Sequence, residues 1–372
     1  MNDTDNALKL GPRIKTVRES NGWTQAQLAK ALGFKDRQTL SDIEIGKRSV
    51  KPTELVLISD LFDQDIGYFL DPFNIAGEAK FNWRASPQLP EKTLDDFESK
   101  AGRWIGLLRW LRSHNLKTNP LKLCLRLHPN SSFEQAQQRA QELIDIFDLG
   151  EVPARSLAQA IETKLDIPVM FVDTNTHRKM TCISGATCHL HDMSVILINR
   201  HEPAGRRHFD MAHELFHALT WDAMQPEHRE SNCIEQRKGG KRIEQLADNF
   251  AAALLMPHMT LKDLMTARTA PTIERLVGIA NRLEVTPSAL AWRLFNLKWI
   301  DEPTLQALKS QPGAQTGKVL PQRFSTQFVS LLHNAIDDGR LSARKARKAL
   351  GMTPDDLESL FTEHSLPVPF EV

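Results

Sequence analysis

Long apolar runs, disulfide-spaced cysteines, internal repeats and net charge are all missing from this chain. No stretch of about 18 consecutive apolar residues occurs, which excludes a membrane-spanning helix. The N-terminus shows no signal segment, so a cytoplasmic protein is expected. The four cysteines lack the spacing of a disulfide framework, in keeping with a reducing compartment. No repeat or low-complexity tract stands out, and 47 basic residues against 46 acidic ones leave a net charge of +1. What is present is 372 residues of 41% apolar composition, enough for two or three domains with their own cores.

The most informative segment is His208-Phe-Asp-Met-Ala-His213-Glu214-Leu-Phe-His217, which holds a complete HExxH. On a helix, residues four apart are offset by about 40°. His213 and His217 therefore project from one face, where two imidazoles can grip a single zinc. Glu214 follows the first of them and stands at the edge of that face, placed to act as a general base toward water. A catalytic zinc takes a third protein ligand. Downstream, Ile243, Leu246, Ala247, Phe250 and Leu254 recur at helical spacing up to Pro257. Glu244 lies on that helix, 27 residues after His217, far enough for a second, antiparallel helix to bring its carboxylate to the metal. Asp248, one turn on, faces the same way and can accept the free imidazole N–H of a ligand histidine.

These motifs in order, Ile196-Leu-Ile-Asn199, then Arg207-His-Phe209 through His217, then Glu244-x-x-Ala247-Asp-x-Phe250-Ala251 and Leu254-Leu-Met-Pro257, resemble the ImmA/IrrE metallopeptidases over about residues 132 to 300. The resemblance implies a gluzincin-like fold with one Zn2+ per chain, held by His213, His217 and Glu244, with Glu214 as base. Family members often carry Thr where Asp210 stands and Asn where Asp248 stands. The Asp at 248 resembles the carboxylate that supports a ligand histidine in thermolysin-like enzymes.

Upstream, Ile167–Val172 and Met193–Asn199 read as strands, with a weaker one at Met180–Ser184. A small sheet beside the zinc helix would offer an edge to which an extended peptide can add. Cys233 falls in the loop between the two zinc helices and is a candidate switch, since a thiolate there can occupy the open zinc position. The simpler reading is a loop cysteine with no role. His228, in the same loop, is a candidate to stabilise an oxyanion, though a loop histidine is more often only solvated.

Residues 11 to 70 tell a second story. Arg13–Arg18 opens an amphipathic helix that ends near Gly22, and Thr24–Leu32 is a capped helix followed by Gly33. The segment Asp36–Gly46 then has a polar outer face with Leu40 and Ile43 inward. Two short helices with such a turn make a helix-turn-helix. Through Thr24-Gln25, Leu28-Ala29, Leu32-Gly33, Ile43-Glu44 and Gly46-Lys47 it resembles the Cro/CI-type (XRE) DNA-binding domain, with a turn one residue longer than usual. Residues 11–52 hold nine Lys/Arg against four Asp/Glu, and residues 53–73 hold five acids and no base. Basic charge is thus gathered where phosphates are expected. The resemblance implies Arg37, Gln38, Thr39 and Ser41 as base readers, with Gln25, Lys35 and Lys47 nearer the backbone.

The expected architecture is mostly helical α+β: a helix-turn-helix domain at 9–73, a helical connector at 74–131, the zinc domain with its small sheet at 132–300, and a helical C-terminal cap at 320–372. In the connector, Gly102–Arg112 is a basic, Trp-bearing helix. It suits a packed connector better than a single-strand binder. Asn82-Trp83-Arg84-Ala85 reads as extended, and a scissile bond in this region is conceivable. Leu341–Gly351 and Asp355–Phe361 form a further helical pair suited to oligomerisation or regulation.

Two functions are expected from the combination. The first is a DNA-binding repressor, nucleoid-associated and dimeric on double-stranded operator DNA, whose zinc endopeptidase domain cuts its own chain or a partner protein on a signal. The second is an operator-binding antitoxin or autoregulator whose zinc domain is non-catalytic and holds a partner or senses metal.

Overall fold

The computed structural model describes residues 3–113, 120–174, 183–230, 238–266, 271–313 and 320–370. It has the expected mostly helical α+β class, with one four-stranded sheet among the described residues. Contacts divide the chain into two compact units: residues 1–80, 91–116 and 330–372 form one, and residues 81–90 and 117–329 the other. By these contacts the helix of residues 102–112 and the chain from residue 330 fall in the same unit as the helix-turn-helix.

In the first unit, α1 (Asp3–Ser20), α2 (Gln25–Ala31), α3 (Arg37–Glu44), α4 (Pro52–Leu61) and α5 (Ile66–Leu70) surround a core of Ile14, Leu28, Leu40, Ile43, Ile58 and Phe69. Side-chain caps start α2 and α3. Thr24 accepts the N–H of Gln27, and Asp36 accepts that of Thr39. One buried carboxylate ties three helices together. Glu44 receives Arg18 Nε at 2.6 Å, Arg18 Nη2 at 3.1 Å and Gln25 Nε2 at 2.8 Å.

Strand β1 (Lys80–Ala85) follows, and then α6 (Glu91–Ser113), which returns to the first unit. Its Trp104, Leu107, Leu108 and Leu111 are buried, and the Trp104 indole donates to the Leu350 carbonyl at 3.1 Å. The Leu/Trp stripe is consumed by packing, so Trp104 is not offered for base stacking. Gly106 sits where a Cβ would fall on the carbonyl of Phe73.

The second unit opens with α7 (Phe133–Phe147) and α8 (Leu157–Leu165), then β2 (Val169–Val172), β3 (Ile183–His189) and β4 (Ser194–Asn199). Sheet order is β1-β3-β4-β2; β2 runs parallel to β4 with Val169 opposite Ile196, and β3 antiparallel with Gly185 opposite Ile198. After the sheet come α9 (Ala204–Thr220), α10 (Lys238–Leu255), α11 (His258–Met265), α12 (Ile273–Arg282), α13 (Pro287–Asn296) and α14 (Glu302–Lys309). Met211, Leu215, Phe216 and Leu219 of α9 meet Leu246, Phe250 and Leu254 of α10 in one core, with the Phe216 and Phe250 rings 5.6 Å apart. The chain ends in α15 (Thr326–Asp337), α16 (Ala343–Leu350), which packs on α6, and α17 (Pro354–Glu363). No described helix is long and apolar enough to cross a membrane.

Two glycines make a paired test of this packing. Gly106→Ala forces a methyl into backbone and should cost about 1–3 kcal/mol. Gly278→Ala, on an exposed face of α12 with nothing within 4 Å of the new carbon, should be neutral or stabilising by up to about 1 kcal/mol. Urea unfolding of both variants checks this; equal midpoints would refute the close contact at Gly106.

Candidate metal centre

The helical spacing in α9 does what the sequence suggests. His213 and His217 are fully buried, with their Nε2 atoms 3.1 Å apart. From α10, Glu244 Oε2 lies 3.1 Å from His213 Nε2 and 3.5 Å from His217 Nε2. Asp248 Oδ1 lies 2.9 Å from His213 Nδ1. Glu244 thus reaches both histidines from α10, and Asp248, one turn on, reaches the other nitrogen of His213. With Asp248 accepting the Nδ1 proton, the Nε2 lone pair of His213 is turned into the cluster.

A fourth donor completes the cluster, and sequence reasoning missed it. Glu230 is 8% exposed, and its Oε1 stands 3.3 Å from His213 Nε2 and 3.8 Å from His217 Nε2. That oxygen has no hydrogen-bond partner among the described residues. The four ligand atoms of His213, His217, Glu230 and Glu244 all lie within 4.8 Å of one another. Zinc bonds of about 2.0–2.1 Å give a tetrahedron with edges of about 3.3–3.4 Å. The five edges given above, between 3.1 and 3.8 Å, straddle that value. Two imidazole nitrogens facing one another beside two carboxylates in a buried space form a donor set that fits a divalent zinc ion.

Glu214 is buried beside the cluster, and Thr187 Oγ1 of β3 lies 2.7 Å from its Oε2 and 2.9 Å from its carbonyl. Thr187 thereby orients the carboxyl, while Glu214 Oε1 has no partner among the described residues. Burial, and after it the neighbouring Glu230, push the Glu214 carboxyl up to about 7. Burial works against the charged form of Glu244, but the two histidines outweigh it and hold that carboxylate below its usual range.

Arg84 reaches in from β1. Its guanidinium stands 3.5 Å from Asp210, 3.7 Å from Asp248 and 3.8 Å from Glu230. Burial lowers its affinity for a proton, yet Asp210, Glu230 and Asp248 more than compensate, and it is held firmly charged. Asp210, the position where the resembled family often has Thr, is fully buried and also receives Arg206 Nε at 3.1 Å. No spacing pattern flags Glu230 or Arg84. The one available signal was the extended reading of Asn82–Ala85. Cys233 lies outside the described residues, and His228 is exposed, giving its carbonyl to Trp83 N–H.

On the helix-turn-helix, Lys35, Arg37, Gln38 and Lys47 are exposed, while Thr39 and Ser41 are half-buried. Gln38 Nε2 bonds Asp42 Oδ1 at 2.9 Å along α3. Two further nominated side chains are also committed within the fold. Gln25 donates to Glu44, and the Thr39 hydroxyl lies 3.1 Å from the capping Asp36.

Residues 14–69 match the helix-turn-helix family model, and residues 163–295 match that of the IrrE N-terminal-like domain. The chain is also similar to a protein of Deinococcus deserti named radiation response metalloprotease IrrE, 36% identical over 107 residues. That match takes in 27% of this chain and 35% of the relative, so the chain spans about a third of that protein's length. The chain therefore joins an XRE-type helix-turn-helix DNA-binding domain to a domain of the ImmA/IrrE metallopeptidase family.

Proposed function

We propose that the protein is an operator-binding transcriptional regulator whose second unit is a zinc endopeptidase. It cuts a regulatory protein, either its own chain or a partner, after a signal. The carrying observation is Glu214, held by Thr187 at 2.7 Å beside converging donors from two helices. A metal site that serves structure alone has no use for a buried carboxyl at that place.

His213, His217 and Glu244 would hold the metal, and zinc when bound would supply Lewis acidity toward a peptide carbonyl and toward water. The chain's own residues do the rest. Asp248 fixes the tautomer of His213. Thr187 keeps the Glu214 carboxyl in one rotamer, with its second oxygen directed away from that bond. Buried beside the donor cluster with Oε1 unpartnered among the described residues, Glu214 is placed to take a proton from an attacking water and pass it to the leaving amine. The sheet beside α9 supplies main-chain pairing for an extended substrate. On the first unit, the charge of Lys35, Arg37 and Lys47 serves phosphate contact, and Arg37 and Gln38 have the reach to read base edges. A dimer on a two-fold operator is the arrangement such readers use.

The second reading, an operator-binding antitoxin or autoregulator with a non-catalytic zinc domain, draws support from Glu230. A site with four protein ligands resembles structural zinc.

Three measurements test this function, and the first separates the two readings. Glu214→Gln should retain metal yet lose peptide cleavage by about 10²–10⁴-fold, assayed on the purified zinc protein with and without DNA. If neither the wild-type chain nor Glu230→Gln, which removes the fourth donor, cleaves itself or any co-encoded protein, the non-catalytic reading replaces the first. Asp248→Ala should weaken zinc binding by about 10–100-fold in competition with a chromogenic chelator, and an unchanged affinity removes Asp248 from the site. Arg37→Ala should cost about 1–3 kcal/mol of operator binding and relax base preference at its contact, measured by gel shift on operator variants. Equal affinity for all variants before and after the substitution would take the reader role from α3.

A further inference from the structure

With His213, His217 and Glu244 as ligands, Glu230 would be a fourth donor where a catalytic zinc usually keeps a position for water, and it is held by chain from outside the two helices. The Glu230 N–H donates to the Trp83 carbonyl at 2.9 Å, and the Trp83 N–H donates to the His228 carbonyl at 2.8 Å. This pairing makes residues 228–230 a short parallel partner of β1. Asn82 Nδ2 adds a bond of 2.7 Å to the Glu227 carbonyl, and Arg229 donates back to the carbonyls of Ser86 and Leu89. On its other side β1 lies next to β3, the strand that carries Thr187. Arg84 of β1 faces Asp210 of α9, Asp248 of α10 and Glu230 itself. Trp83 is fully buried and stacks on Phe81 at 5.2 Å. Strand β1 thus occupies the sheet edge on which an extended substrate would pair, and the same strand positions the fourth donor.

We propose that Glu230 is a fourth, displaceable protein ligand of the metal and that β1 is the latch that keeps it in place, so that the resting domain is closed. The proposal rests on the reading of His213, His217 and Glu244 as metal ligands. An incoming peptide and β1 compete for one edge, and release of β1 removes both the main-chain bond to Glu230 and the cation beside its carboxylate. Residues 81–90 are flanked on both sides in the sequence by chain of the first unit, so a rearrangement there reaches the latch through covalent bonds.

Cobalt(II) reports the ligand set directly through its visible spectrum. Full-length wild-type protein, Glu230→Gln and Arg84→Met are loaded with cobalt, their affinity is measured against a chromogenic chelator, and each is titrated with azide, a small anion that binds an open position. The wild-type spectrum should stay unmoved by azide. Glu230→Gln should bind cobalt about tenfold or more weakly, and its spectrum should shift on adding azide. Arg84→Met, with Glu230 intact, should also admit the anion. If wild-type protein responds to azide as readily as Glu230→Gln, Glu230 is not a ligand. If only Glu230→Gln responds, β1 is not the latch. Failure of the wild-type chain to take up cobalt at all sinks the underlying metal site instead, a separate result. Should Glu230→Gln not fold, the azide response of the wild-type protein decides the ligand question by itself.

Discussion

Everything in the second unit turns on two imidazole nitrogens 3.1 Å apart in a fully buried pocket. Two imidazole lone pairs facing one another at that distance repel. Burying polar groups without partners costs several kcal/mol. A divalent cation turns the same arrangement from a cost into a stabilising bond set, because the nitrogens and the carboxylates of Glu230 and Glu244 all point to one centre. The packing of α9 on α10 through Phe216, Phe250 and Leu246 supplies the rigidity that holds the donors together. The fold organises the site, and the site in turn gives the buried polar residues of these helices their reason to be there.

Much of this was legible in advance. Helical periodicity places His213 and His217 on one face with Glu214 at its edge whatever the surrounding fold, and the same periodicity sets Glu244 and Asp248 one turn apart. The core of the helix-turn-helix was readable for the same reason: Leu40 and Ile43 stand three apart on α3, and with Leu28 of α2 they are buried. Strands β2 and β4 were visible as apolar runs because both of their faces are covered.

Glu230 and Arg84 were not legible, and the cause is physical rather than a matter of care. Both sit on irregular or short extended chain, where no period ties a residue to a face. Their roles come from long-range pairing, Trp83 with residues 228–230, and such pairing leaves no mark in local composition. Gln25 and Thr39 show the converse limit. A polar side chain on a helix that enters DNA can equally be spent on the fold, as Gln25 is on Glu44 and Thr39 is on its own cap. Sequence alone cannot distinguish a displayed amide from a committed one.

Asp210 ties these strands of reasoning together. It lies one turn before His213, on the metal-facing side of α9, and it is fully buried. A threonine there could satisfy itself by bonding back to the helix. An aspartate cannot, and a buried carboxylate without a cation would be among the costliest groups in the domain. Arg84 and Arg206 supply the cations. Arg206 belongs to α9 itself, whereas Arg84 arrives on β1, so one of the aspartate's two cations depends on that strand. A chain whose metal helix carries a charge matched to its own edge strand is built to have that strand docked. The departure from the resembled pattern at Asp210 and the placing of Glu230 beside the two histidines therefore meet in one residue, Arg84 of β1, whose guanidinium stands against both carboxylates.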